Sequence, residues 1–292
     1  MRTYSQIEGD GGSGVAEQIA DLEAAIARRM AGIRHVLAVG SGKGGVGKST
    51  LTRQLGAVLA AAGKRIGILD ADLNGPSQAM LHGVRNVPPL PGDDGLLLPV
   101  SREGVKILSV GSLLAEGEAL TWPSATPRHT HVWRATRDLS KLAELLASAC
   151  WGPLDVLLVD LPPGPERTAQ FADFLGPQTA VVLVSIPSAL ARGVVARSVS
   201  ALAPLPNRLL GYVENMSGYA CAGCGTVRPL FPESREAAEL ELPCLGRVPF
   251  DPQLAALSDD GRAITEVPDA GPVAAALAET ARTLFERLEE AP

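Results

Sequence analysis

Gly42-Lys43-Gly44-Gly45-Val46-Gly47-Lys48-Ser49-Thr50 carries more chemistry than any other stretch of this sequence. It satisfies the pattern G-x-x-x-x-G-K-S. An apolar run, Val36-Leu37-Ala38-Val39, precedes it, and a helical pattern over 51–62 follows. Strand, glycine loop and helix in that order make a phosphate cradle. Glycines let backbone N–H groups curl around one anion without Cβ clashes. The helix N-terminus adds partial positive charge. In such a loop Lys48 reaches the β- and γ-phosphates, and Ser49 sets its hydroxyl on Mg²⁺. Lys43 is a second lysine, at the start of the loop, and a cradle within one subunit does not require it.

Three further segments supply what a nucleotide hydrolase needs. Asp70 and Asp72 stand just past a strand pattern over 65–69. Carboxylates so placed can serve a hydrated Mg²⁺ and an attacking water. Asp72 is assigned to orienting the water, Asp70 to the outer shell of the metal. Asp160 ends the most apolar strand pattern, Leu154-Asp155-Val156-Leu157-Leu158-Val159-Asp160, and takes the Walker-B role beside Ser49. The Pro162-Pro163-Gly164 turn behind it offers the Gly164 N–H to a γ-phosphate. Asn215, just past the strand pattern over 208–213, has an amide that can pair with an adenine edge.

These residues need a scaffold that brings strand ends together. Apolar strand patterns at 36–39, 65–69, 105–110, 154–160, 180–186, 208–213 and 244–248 alternate with helical stretches at 51–62, 131–149, 190–202 and 272–289. A further helix over 15–30 has apolar positions at Val15, Ile19, Leu22 and Ile26. Near-continuous apolar strands between helices predict an α/β fold: one doubly wound, mostly parallel sheet with helices on both faces. Ligands then bind at the C-terminal ends of the strands. Residues 1–14 are expected to be a disordered tail, and 15–292 one P-loop ATPase domain with a C-x-x-C loop near 219–225. Residues 84–104 read as an excursion, and 112–130 have no clear period.

At 292 residues and 46% hydrophobic content the chain can bury a large core. A net charge of −6 argues against a nucleic-acid partner. No apolar run reaches the ~18–20 residues of a membrane span, so the expectation is a cytoplasmic protein without a membrane partner. Four cysteines are too few for a disulfide scaffold.

Taken together, the segments resemble the Mrp-type (ApbC-like) iron–sulfur cluster carriers, a branch of the MinD/ParA superfamily of P-loop ATPases with a deviant Walker A loop. The matching pieces are 42–50, 70–77, 151–164, Val213-Glu214-Asn215-Met216-Ser217, Cys221-Ala222-Gly223-Cys224-Gly225 and 245–252. The resemblance implies an ATP-hydrolysing homodimer in which Lys43 crosses to the partner's nucleotide. It places Pro249 and Asp251 with Asn215 at the adenine. It also implies that Cys221 and Cys224 of two subunits hold one [4Fe–4S] cluster, which passes to apo iron–sulfur proteins. One C-x-x-C supplies two of the four ligands that a tetrahedral or cubane centre takes. Symmetric dimerisation doubles them. Zinc, dimer-bridging or completed by Cys244, and a redox-active thiol pair remain open, as does a MinD/ParA-like positioning switch with structural zinc. Cys150 and Cys244 read as core. Where the family continues Pro-Pro-Gly with Thr-Gly-Asp, this chain has Pro165-Glu166-Arg167. It looks like a short form, without the family's N-terminal extensions.

Overall fold

The computed structural model describes residues 15–113, 132–221, 223–231, 242–268 and 271–290. The expected tail over 1–14 lies outside them. The strands are β1 (Ile33–Ser41), β2 (Ile66–Asp70), β3 (Leu90–Gly92), β4 (Gly95–Leu97), β5 (Lys106–Leu108), β6 (Leu154–Asp160), β7 (Thr179–Ser185), β8 (Leu209–Ala220), β9 (Val227–Arg228) and β10 (Cys244–Phe250). The helices are α1 (Val15–Met30), α2 (Lys48–Ala61), α3 (Gln78–Leu81), α4 (Val132–Ser148), α5 (Pro165–Leu175), α6 (Ala189–Leu202), α7 (Pro252–Asp259) and α8 (Gly271–Glu289).

The main sheet runs β10-β8-β7-β1-β6-β2-β5, all parallel, with β9 added antiparallel to the end of β8. This is the mostly parallel, doubly wound sheet that the alternation of patterns predicts. Successive strand residues face opposite layers. Leu37 and Val39 pack with Leu51 and Leu55 of α2, Leu254 of α7 and Leu277 and Leu284 of α8. Val36 and Ala38 pack with Leu142 and Leu146 of α4, Phe171 of α5 and Val195 of α6. Burying a Leu or Phe side chain contributes roughly 1.5–3 kcal/mol. Two such layers clamp the central strands and fix where their C-terminal ends lie.

Three differences from the expected layout bear on the site. The excursion over 84–104 contains a small antiparallel hairpin, β3–β4. The turn after Asp160 opens directly into α5, with Pro165 in its first turn. Strand β8 continues to Ala220, seven residues beyond the expected end at 213, because the polar residues Glu214, Asn215 and Ser217 still pair with β7 or β10 or carry the strand into β9.

Candidate functional site

Strand β1 lies at the middle of the sheet, between β6 and β7. The loop leaving its C-terminal end enters α2 through Gly47, the N-cap, at φ 79°. A side chain is excluded there twice over, by the left-handed backbone and because a Cβ would come 2.3 Å from Asn215 Nδ2. At Gly42 a Cβ would come 2.2 Å from Val194 Cγ1 of α6. The loop is thus pressed between β8 and α6, its conformation set by close approach on both sides.

Ser41, Lys43, Pro163, Asp72 and the run Gly44–Thr50 line a cavity of about 300 Å³ over the start of α2. Lys43 is half-buried at its wall and makes no ion pair among the described residues. Lys48 is buried. Its Nζ donates to Asp160 Oδ1 and, at 3.4 Å, to Ser49 Oγ. Asp160 is fully buried, and its second oxygen accepts from Gln78 Nε2 at 2.8 Å. The Walker-type carboxylate, the loop lysine and the Ser49 hydroxyl therefore form one connected group. A hydroxyl and a carboxylate beside the lysine of the phosphate loop suit a hydrated Mg²⁺ on a nucleotide, so the donor set fits that cation.

Asp70 and Asp72 are separated by the structure. Asp72 faces the phosphate cavity. Asp70 is 1% exposed and stays off the cavity wall. Its Oδ2 accepts from the Ser77 and Gln78 N–H groups and from Ser109 Oγ, each at 2.9 Å. Burial first, and the nearby Asp160 charge second, push its carboxyl up to about 7, against those three donors. Asp70 thus ties the segment carrying Asp72 to the sheet. The turn after β2 folds its backbone N–H groups back onto the carboxylate.

Gly164, at φ 121°, donates its N–H to the Ser41 carbonyl at 2.8 Å. In this arrangement that N–H serves the chain and not a phosphate. Just beyond it, Arg167 of α5 pairs with Asp138 of α4, and the same Asp138 oxygen accepts from Asn74 Nδ2 at 3.3 Å. The sequence signals neither this three-way link nor Gln78, since each depends on which helix end meets which loop.

A second cavity, of about 120 Å³, adjoins the first through Gly47 and Thr50. Asn215, Met216, Pro249, Phe250, Asp251 and Leu254 line it. The structure therefore brings together Asn215, Pro249 and Asp251. Asn215 Nδ2 donates to the Val46 carbonyl at 2.8 Å, tying β8 to the phosphate loop. Asp251 caps α7, accepting from the Gln253 N–H at 2.8 Å. Met216, at φ 53°, is the one non-glycine residue with left-handed backbone among those described, the kind of strain that collects at ligand sites.

Cys221 and Cys224 stand in the loop between β8 and β9, at the tip of that hairpin. Cys221 exchanges backbone hydrogen bonds across it, donating to the Thr226 carbonyl at 3.0 Å and accepting from Gly225 at 2.8 Å. Cys224 is exposed, and its Sγ lies 3.3 Å from Thr226 Oγ1. The Thr226 hydroxyl, then the Thr226 N–H and the neighbouring Cys221, lower its thiol pKa. Among the described residues no group of three or more His, Cys, Asp or Glu side chains could hold a metal ion.

The remaining cysteines correct the sequence reading. Cys244 is exposed and Cys150 half-buried, so neither is core. Cys244 opens β10 opposite Tyr212. From there to Cys221 the extended strand spans about 30 Å at ~3.3 Å per residue. Cys244 cannot complete a zinc site with Cys221 and Cys224.

Comparison with known proteins places this geometry. A family model described as ParA, NUBPL iron-transfer P-loop NTPase, matches residues 32–285. An iron-sulfur cluster carrier protein of Methanocaldococcus jannaschii is 34% identical over 247 residues, covering 83% of this chain and 82% of its own. The cytosolic Fe-S cluster assembly factor NUBP2 of Bos taurus is 36% identical over 249 residues, covering 82% and 88%. A nucleotide-binding protein from Archaeoglobus fulgidus, solved in complex with ADP, superposes with a TM-score of 0.69 at 33% identity, covering 85% of this chain and 95% of that one. The cell division protein MinD of Aquifex aeolicus shares the fold, with a TM-score of 0.58 at 22% identity over 88% and 98% of the two chains. No described helix is long and apolar enough to cross a membrane. With the match running from the first strand of the sheet into its last helix, this chain belongs to the ParA/NUBPL family of iron-transfer P-loop NTPases.

Proposed function

We propose that this protein is an ATP-hydrolysing iron–sulfur cluster carrier that acts as a homodimer in the cytoplasm. Two copies pool Cys221 and Cys224 around one [4Fe–4S] cluster and pass it to apo iron–sulfur proteins. The observation that carries this reading is the hairpin tip. It presents two thiols with no third ligand among the described residues, on the same strand whose Asn215 grips the phosphate loop. A chain that supplies half a ligand set at an exposed tip suits a shared cargo held for release.

In this reading the phosphate chain enters the cavity over α2, and the N–H groups of the loop and the start of α2 surround it. Lys48 leaves Asp160 for the β- and γ-phosphates. Ser49 holds Mg²⁺ and Asp160 its water shell, while Asp72 orients the attacking water. Bound Mg²⁺ supplies charge neutralisation on the phosphates. Lys43 reaches the partner's nucleotide across the dimer. Asn215, Pro249 and Asp251 frame the adenine in the adjoining cavity. Asp70 braces the segment that carries Asp72. Gly164 can reach a γ-phosphate only by releasing the Ser41 carbonyl, so the triphosphate favours a rearranged turn.

Anaerobic reconstitution with iron and sulfide tests the reading. The expected product is brown, dimeric protein with four iron and four sulfide per dimer. Cys221→Ala and Cys224→Ala should each abolish the chromophore and leave nucleotide binding intact. A double variant that keeps its full iron content sinks the proposal.

A further inference from the structure

Gln78 lies where the segments around the phosphate loop converge. It is fully buried. Its backbone N–H donates to Asp70 Oδ2 at 2.9 Å. Its side-chain Nε2 donates to Asp160 Oδ2 at 2.8 Å and to the Ser49 carbonyl at 3.0 Å. Both partners of that nitrogen are pure acceptors, which fixes which end of the amide is nitrogen. The Oε1 end has no hydrogen-bond partner among the described residues. Both donors of the amide are therefore committed to the residues flanking the cation side of the cavity, and its acceptor is engaged by nothing. A buried amide with an orphaned oxygen is a poor packing choice, so its donors need a reason to be there.

The two oxygens of Asp160 have different partners, Lys48 on Oδ1 and Gln78 on Oδ2. When Lys48 turns to a phosphate, Asp160 loses its cation. Gln78 is then the donor that still holds the carboxylate in one orientation, and through the Ser49 carbonyl it holds the start of α2 at a fixed distance. We infer that Gln78 is a positioning residue for the divalent cation, setting Asp160 against Ser49 so that the metal's water shell finds its acceptor already aimed. The inference rests on the ATP–Mg²⁺ reading above and adds a residue that neither the phosphate-loop pattern nor the acidic motifs contain.

A fluorescent ADP analogue, titrated onto the full chain first in EDTA and then against rising Mg²⁺, tests it. Gln78→Leu should keep its affinity in EDTA within about twofold of the wild type. The Mg²⁺ concentration for half-maximal tightening should rise about tenfold, the scale of one lost hydrogen bond to a charged group. Mn²⁺ bound in the presence of ADP, read by electron paramagnetic resonance, should weaken in parallel. Gln78→Met serves the same test where Gln78→Leu fails to fold. Mg²⁺ curves that superimpose on the wild type overturn the inference. So does an equal loss of affinity with and without Mg²⁺, which would make Gln78 a packing residue only. A wild-type chain that binds ADP no better with Mg²⁺ overturns the ATP–Mg²⁺ reading itself, and this inference with it.

Discussion

Around Lys48 the chain supplies its own partners: the lysine pairs with Asp160, Asp160 also takes Gln78, and Asp70 takes four donors. At the hairpin tip Cys224 is exposed and Cys221 half-buried, with the Thr226 hydroxyl 3.3 Å from the Cys224 sulfur and no third ligand among the described residues. The first region is internally closed, so its chemistry is decided by which partner a fixed group chooses. The second is open, and in the proposed reading another copy completes it. Strand β8 joins them, with Asn215 at the phosphate loop and Cys221 just past its end. In the proposed reading what is bound at the closed region biases the open one through this strand, and each substitution below asks how far the two can be separated.

Lys48→Ala should have the largest effect. In the proposed reading it removes the charged donor to the phosphates, so ADP and ATP affinity should fall about 10- to 150-fold. It also leaves Asp160, fully buried, without its cation. Breaking a buried pair from one side costs about 3–5 kcal/mol, so thermal unfolding of the nucleotide-free variant should move clearly downward. Iron bound after anaerobic reconstitution should remain at the wild-type level in protein that is still folded. Loss of iron from folded Lys48→Ala protein would show that the open region depends on the closed one for more than transmission.

Asn215→Ala cuts the link itself. The hydrogen bond to the Val46 carbonyl disappears, and so does the amide that lines the second cavity. A neutral hydrogen bond contributes about 0.5–1.5 kcal/mol, so nucleotide affinity should fall about 2- to 12-fold in calorimetric titration. The sharper outcome concerns coupling. Any effect of ATP on the rate at which cluster passes to an apo-protein should shrink more than the loss of affinity explains, when measured at saturating nucleotide.

The closed region was also the more legible in the sequence. Its parts are local patterns: a glycine loop between a strand and a helix, and carboxylates at strand ends. Short continuous apolar runs between helical stretches were enough to place β1, β2, β6 and β7 and so the cavity between them. Asp72 and Asp70 show the limit, since two identical side chains two residues apart end up on a cavity wall and in the core. Which one turns inward depends on where the N–H groups of Ser77 and Gln78 fold back, and no periodicity carries that. Gln78 escaped notice for the same reason. At the open region the motif was plain but its setting was not. Polar residues after Val213 read as the end of a strand, whereas pairing with β7, β10 and β9 carries it on to Ala220.

Arg167→Ala tests whether the turn at Gly164 is held from outside the cavity. Arg167 is bound to Asp138, which also accepts from Asn74, in the loop that follows Asp72. The pair is partly exposed, at 32% and 13% of the side chains, so solvent screens it and its loss should cost about 1 kcal/mol or less of stability. Without it the Gly164 N–H should leave the Ser41 carbonyl more readily. A binding-competent state that is more populated lowers the apparent dissociation constant in proportion. A non-hydrolysable ATP analogue should then bind about two- to fivefold more tightly while ADP, which lacks the γ-phosphate, is unchanged. Equal shifts for both nucleotides would mean that Arg167 acts on the whole loop and not on the turn.

Thr226→Val is the mildest change and the most local to the open region. The Thr226 hydroxyl is the first cause of the lowered Cys224 pKa. Its removal lets that pKa rise toward the ordinary thiol value, so less thiolate is present near neutral pH. Water remains an alternative donor to an exposed sulfur, and the rate of alkylation by iodoacetamide at pH 7 should fall only about two- to threefold. The sign fixes the pH window. Well below the lowered pKa both forms carry little thiolate and their rates stay in constant ratio. As pH climbs past the ordinary thiol range both are fully ionised and the difference closes. Valine keeps the β-branch that suits a residue entering β9, so the hairpin should survive and nucleotide affinity should not move. If the alkylation rate is unchanged across that window, the thiolate at the tip owes its stability to the backbone N–H of Thr226 and to Cys221. The chemistry of the open region would then be set by the fold of the hairpin and not by this side chain.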